Sequence, residues 1–192
     1  MPNAAIPVTG DHEADLLLER DPLALLIGML LDQQVPMEWA FSGPHRLNQR
    51  LGGLDATAIA AMPPEVVEAA FKEKPALHRF PGSMAKRTHE LCRHLVEHYD
   101  GRPERIWKEA ASGAEVLQRL KALPGFGDEK SKIFLALLAK RLAIRPVGWE
   151  EAARPFSDDR HRSVADIDSP EAFEEVRRFK RAMKAEGKGK GD

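Results

Sequence analysis

Residues 120–142 read LKALPGFGDEKSKIFLALLAKRL and hold the most suggestive chemistry in the chain. Gly125 and Gly127 stand one residue apart after Pro124, and glycine reaches positive φ without steric cost. Leu123 and Phe126 are apolar anchors around them, and an apolar helix begins at Asp128 or Glu129. Such a turn points backbone N–H groups outward at a helix N-terminus, where the helix dipole favours an anion. Lys130, Ser131 and Lys132 fall in the first turn of that helix. From Arg119 to Arg145 there are seven Lys/Arg against two acids, Asp128 and Glu129, a local balance of +5. That balance is a footprint for nucleic-acid phosphate. The same residues also describe a plain corner between two helices, because glycines commonly end helices and first-turn acids stabilise a helix without any ligand.

Other reactive side chains are sparser. His94 and His98 have the i, i+4 spacing that suits a metal, but no third ligand accompanies them, so no metal site is expected. Cys92 is the single cysteine, which excludes an internal disulfide and any cluster or zinc site built from several thiolates. Formal net charge is -1 over 192 residues, so nucleic-acid binding must rest on local clustering. An apolar fraction of 43% with 31% charged residues suits a globular protein. The N-terminus lacks a basic-then-apolar secretory pattern, and the apolar run 23–31 is too short to span a bilayer. A cytoplasmic location away from membranes is the expectation.

The elements that must position these groups read as helices throughout. No segment sustains the alternation or the β-branched clusters of a strand. Residues 1–20 are expected to be a lead-in, irregular over the first ten. Asp21-Pro22 fits an N-cap with proline at the first helical position, opening a buried helix to Leu31. Helices are expected at 37–51, 55–61, 64–71, from Gly82 to Gly101, 114–122, and 170–185. Residues 145–169 read as irregular and charged. The last helix contains RRFKRAMK, which packs on the body or touches a DNA backbone. The tail 186–192, EGKGKGD, is expected to be disordered.

LKALPGFGDEKSKIFLALL resembles the helix-hairpin-helix motif, placed here at about 114–142. LLIGMLLDQQVPMEWAFSGPHRLNQRLGG resembles the early segment of DNA glycosylases that carry it, where a buried helix ends in a glutamine turn. GSMAKRTHELCRHLVEHYDG is similar to their next helix, with its small residue followed by lysine. Three segments in order over most of 21–147 resemble the helix-hairpin-helix (HhH-GPD) glycosylase superfamily, which includes endonuclease III and the bacterial 3-methyladenine glycosylases. The resemblance implies an all-α, two-lobed glycosylase-like fold over 21–185, without the iron-sulfur cluster of the endonuclease III branch and without a cofactor.

It further implies a monomer that binds damaged double-stranded DNA, flips a base out and cuts its N-glycosidic bond in base-excision repair. Gly125, Gly127, Lys130, Ser131 and Lys132 would then grip the backbone, and Gln34, with its neighbour Gln33, would fill the vacated stack. The family's carboxylate, usually an aspartate, maps within 147–151, where the chain reads VGWEE. Glu150 stands as its substitute and Glu151 as the alternative; both also suit an exposed first helical turn. Trp149 is placed to stack on the flipped base. The family's lyase lysine maps to Glu129, with Lys130 rotated by about 100° on the helix, so lyase activity is not expected. A module that keeps the fold and binds distorted duplex without catalysis is the rival reading.

Overall fold

The computed structural model describes residues 4–192, and every regular element among them is a helix. In chain order these are α1 (His12–Arg20), α2 (Pro22–Leu31), α3 (Met37–Leu51), α4 (Ala56–Ala61), α5 (Pro64–Lys72), α6 (Pro81–Tyr99) and α7 (Arg105–Lys108). They continue as α8 (Gly113–Lys121), α9 (Asp128–Arg141), α10 (Trp149–Ala152) and α11 (Pro170–Ala185), with a 3-10 turn at Val164–Asp166. No helix among the described residues is long and apolar enough to cross a membrane. The chain divides into two compact units, one of residues 9–106 and 123–125, the other of residues 4–8, 107–122 and 126–192.

The first unit is organised by α2. The Asp21 carboxylate accepts from the N–H groups of Leu23 (2.9 Å) and Ala24 (3.4 Å), and Pro22 occupies the first turn. Burial raises the Asp21 pKa against the lowering effect of those two bonds. Every residue from Leu23 to Leu31 is buried, because α2 is apolar on all sides and is wrapped by its neighbours. Gly28 lets α3 approach closely, since a methyl group there would stand 2.7 Å from Phe41 Cδ1. Along α6 the inward residues Met84, Ala85, Thr88, Leu91, Cys92 and Leu95 recur at helical spacing.

Several elements depart from the sequence reading, among them α10 and the 3-10 turn within the stretch 145–169 read as irregular. Within the expected lead-in, α1 forms because Asp11 caps Glu13 and Ala14 while Ala14 and Leu18 turn inward. Residues 1–3 of that lead-in lie outside the described residues. The four-residue α7 is too short to show a period in sequence.

In the second unit α8 and α9 form the helical hairpin. Residues Ile133 to Ala139 of α9 are buried without a break, so α9 forms the unit's core. The Phe134 ring lies 5.9 Å from that of Trp107 and 6.1 Å edge-on from that of Phe126. Ser169 caps α11, Pro170 opens it, and Ala172 and Val176 are its buried residues. Within the tail expected to be disordered, the Lys190 and Asp192 carbonyls accept hydrogen bonds from Arg162 Nη1 at 3.1 and 2.8 Å.

Candidate nucleic-acid interface

The hairpin turn is held by two buried side chains and opened by two glycines. Leu123 and Phe126 are buried, while Gly125 and Gly127 lie on the surface. Gly125 adopts φ 83°, and a methyl group there would collide with Leu30 Cδ1. Only glycine fits such a position. Gly127 is the N-cap of α9 with φ -90° and ψ -172°, an extended conformation open to any residue. It supplies no side-chain cap, and a methyl group on it would meet nothing within 4 Å. The first N–H groups of α9 therefore face accessible space with the positive end of the helix dipole behind them.

Charge around this helix start is arranged in pairs. The Asp128 carboxylate lies 3.1 Å from Lys121 Nζ and 2.9 Å from Lys132 Nζ. Hydrogen bonds from Lys132 and then Lys121 hold that carboxyl below the usual aspartate range. Glu129 Oε1 lies 4.0 Å from Lys190 Nζ. Both first-turn acids are thus matched by cations, and their repulsion of an incoming phosphate is offset locally. Lys130 and Lys132 are half-buried on the same turn. Ser131 corrects the sequence expectation. It is fully buried and its hydroxyl has no partner, so it faces the core and reaches no phosphate.

In the other unit, the turn after α2 separates the two glutamines. Gln33 Nε2 donates to Leu30 O at 2.9 Å, and its Oε1 accepts from Arg87 Nη1 at 3.0 Å. His78 is buried beneath the turn, with Nε2 bonded to the carbonyls of Leu31 (3.1 Å) and Gln33 (3.0 Å). Its Nδ1 accepts from the Phe80 N–H at 3.0 Å, which assigns the proton to Nε2. Gln34 is exposed in the left-handed region at φ 58°, with no side-chain hydrogen bond among the described residues. One glutamine is a strut and the other is free. The two supports, His78 and Arg87, were missed in the sequence, and nothing local to either residue signals its role.

Downstream of α9, a turn leads into α10. Gly113 N donates to Val147 O at 2.7 Å, and a methyl group on Gly113 would stand 2.6 Å from Trp149 Cα. The backbone of 147–149 is therefore seated directly on the first residue of α8. Trp149 is half-exposed, and Glu150 and Glu151 are exposed in the first turn of a four-residue helix. Glu151 pairs with Arg154 at 3.3 Å, and the Glu150 carbonyl accepts from Ser157 Oγ at 2.6 Å.

The aspartates beyond α10 surround an open cavity of about 320 Å³ near the C-terminal end of α9. Arg162 Nε bridges both oxygens of Asp158 at 3.1 and 3.0 Å. Asp166 takes Lys140 Nζ at 2.6 Å and the N–H groups of Arg162 and Ser163 at 3.0 Å each. Asp168 lies 3.6 Å from Arg141. Ser163 and Asp166 form a capping box within the stretch that the sequence read as irregular. Among the described residues, no group of three or more His, Cys, Asp or Glu could hold a metal ion.

No curated protein sequence matches the chain. One similar solved structure is a trapped endonuclease III–DNA covalent intermediate in an estranged-adenine complex. It is 18% identical, with a TM-score of 0.45, over 74% of this chain and 70% of that one. The family model for HhH-GPD superfamily base excision DNA repair proteins matches residues 27–184. That match takes in the glutamine turn, α6, the hairpin and α11, and the chain belongs to the HhH-GPD superfamily of base excision DNA repair proteins.

Proposed function

We propose that this chain binds damaged duplex DNA as a monomer in the cytoplasm and acts as a monofunctional DNA N-glycosylase. The observation that carries the reading is the uncapped, accessible start of α9 at Gly127, flanked by lysines, in a chain of a base excision repair family. The hairpin holds the backbone through the N–H groups after Gly127, with Gly125 shaping the turn and Lys130 and Lys132 supplying positive charge. Gln34 enters the stack where the flipped base leaves, and Trp149 stacks on that base.

In the reaction, the bond between C1′ and the base nitrogen breaks and its electron pair leaves with the base. Water attacks C1′ and gives up its proton, leaving an abasic site. A carboxylate stabilises the positive charge that develops on the sugar and receives that proton. Glu150 is assigned this role, with Glu151 as the alternative. Water serves as the nucleophile because the position matching the family's lyase lysine is Glu129.

Single-turnover excision from duplexes carrying alkylated, oxidised and deaminated bases tests this. Glu150→Gln should slow excision by about 10²–10³-fold, the range for removing one preorganised electrostatic group. Full activity in both Glu150→Gln and Glu151→Gln would end the carboxylate assignment. A second reading, a binding module without catalysis, is favoured by the exposure of both glutamates and the lack of an aspartate at 147–151. Tight binding to distorted duplex with no excision across the panel would establish it.

A further inference from the structure

We infer that the C-terminal half of α11 and the tail after it form a second track for the DNA backbone, continuous with the hairpin helix. The inference rests on the DNA-binding reading above and adds a surface to it.

Residues 177–190 contain seven Lys/Arg and one acid, net +6, which leaves -7 for the rest of a chain whose total is -1. This is the sort of concentrated basic stretch that a near-neutral protein needs to hold a polyanion. The helix is divided along its length. Glu174 and Glu175 sit in the first half and pair with Arg177 (3.2 Å) and Arg178 (2.6 Å). Beyond them, Arg181 and Lys184 are exposed and pair with no acid among the described residues. Arg177, Lys180, Arg181 and Lys184 follow i, i+3, i+4, i+7 spacing, which lines one face for about 10 Å. Duplex DNA presents one charge per about 1.7 Å of axis, so several phosphates fall within that length.

The helix dipole favours cations in a last turn, and that alone would account for Lys184. It does not account for cations brought from outside the helix. The guanidinium groups of Arg160 and Arg162 lie 5.7 and 5.6 Å from the Phe179 ring, and Arg160 is exposed beside Arg178 at an open cavity of about 390 Å³. Lys188 and Lys190 lie beyond the helix end.

The path of the tail supplies the continuity. Arg162 is buried, locked to Asp158, and donates to the carbonyls of Lys190 and Asp192. This latch sets Lys190 Nζ 4.0 Å from Glu129 in the first turn of α9. The basic segment therefore runs from α11 to the turn that carries Lys130 and Lys132.

Binding of the full chain to a fluorescent duplex, measured by anisotropy across a salt series, tests the track. The variant R181A/K184A should keep its melting temperature, since both side chains are exposed and unpaired. Its plot of log affinity against log salt should be shallower by about 1.8, from about 0.9 per lost phosphate contact. The charge-reversed R181E/K184E should bind more weakly still. An unchanged slope in both, with weaker binding in Lys132→Ala, would overturn the track and leave the hairpin reading intact. A parent chain that does not bind duplex, or binding indifferent to Lys132→Ala as well, would overturn both. Loss of binding to anionic lipid vesicles with an unchanged duplex slope would assign the surface to a membrane and overturn the proposal.

Discussion

Gly125 is packed against Leu30 so closely that a single added methyl group would overlap the leucine's Cδ1 atom. With φ 83° it also lies where L side chains are strained. Gly127, two residues on, has ordinary φ and open space around it. The two glycines of one motif therefore answer to different constraints, packing at the first and access at the second.

Substitution should separate those constraints. Gly125→Ala is expected to destabilise the protein by about 2 kcal/mol or more, from overpacking added to left-handed strain. Gly127→Ala should cost less, about 0.5–1 kcal/mol, because alanine is a poorer N-cap than glycine but adds no clash. Its affinity for duplex DNA should nonetheless fall several-fold, since the methyl group takes up part of the open space at the start of α9 that a phosphate would enter. Urea denaturation and anisotropy check the pair. Equal stability losses in both would show that Gly127 is structural after all.

The glutamine turn gives a similar contrast. Gln33→Ala removes bonds to Leu30 O and Arg87 and should cost about 1–2 kcal/mol. Gln34→Ala removes no side-chain bond and should leave stability almost unchanged. Its effect should appear instead in the distortion of damaged duplex, read by 2-aminopurine fluorescence opposite or beside the lesion. A normal fluorescence rise in Gln34→Ala would remove Gln34 from the wedge role.

Cys92 reports on the fold through its titration. Burial pushes its thiol up to about 12, whereas an unfolded cysteine titrates near 8.5. Above pH 8.5 the unfolded chain loses this proton first, so the contribution to stability is complete below that pH and is lost as pH rises toward 12. The slope from this one group reaches about 1.4 kcal/mol per pH unit. Denaturation at pH 8, 9 and 10 should show a steeper alkaline loss in the parent than in Cys92→Ala. Iodoacetamide at pH 8 should label the native protein only at the rate of opening. Fast labelling of the native state would contradict the burial.

Much of this architecture was legible because single residues carried strong local signals. Pro22 and Pro170 mark helix starts, Gly52 and Gly101 mark stops, and the unbroken apolar run of α2 announced its burial. Ser131 misled because it lies between two lysines. Its helical phase with Phe134, Leu135 and Leu138, at i+3, i+4 and i+7, places it on the buried face. The division of labour between Gln33 and Gln34 had no local signal, since the strut is fixed by His78 and Arg87, 45 and 54 residues away. The fate of the carboxylates after α9 was equally hidden. Asp158 and Asp166 are committed to Arg162 and Lys140 by tertiary contacts that no spacing rule anticipates.

The seating of Gly148 and Trp149 on Gly113 has a consequence for engineering. The side of this turn that faces α8 admits no extra atom, while a side chain added at Gly148 would project into empty space. Gly148 sits at φ 76°, a conformation that aspartate and asparagine adopt more readily than other residues. The turn is thus clamped from below and open above: a carboxylate added at Gly148 would meet no neighbouring atom, and its cost would be the left-handed backbone strain alone.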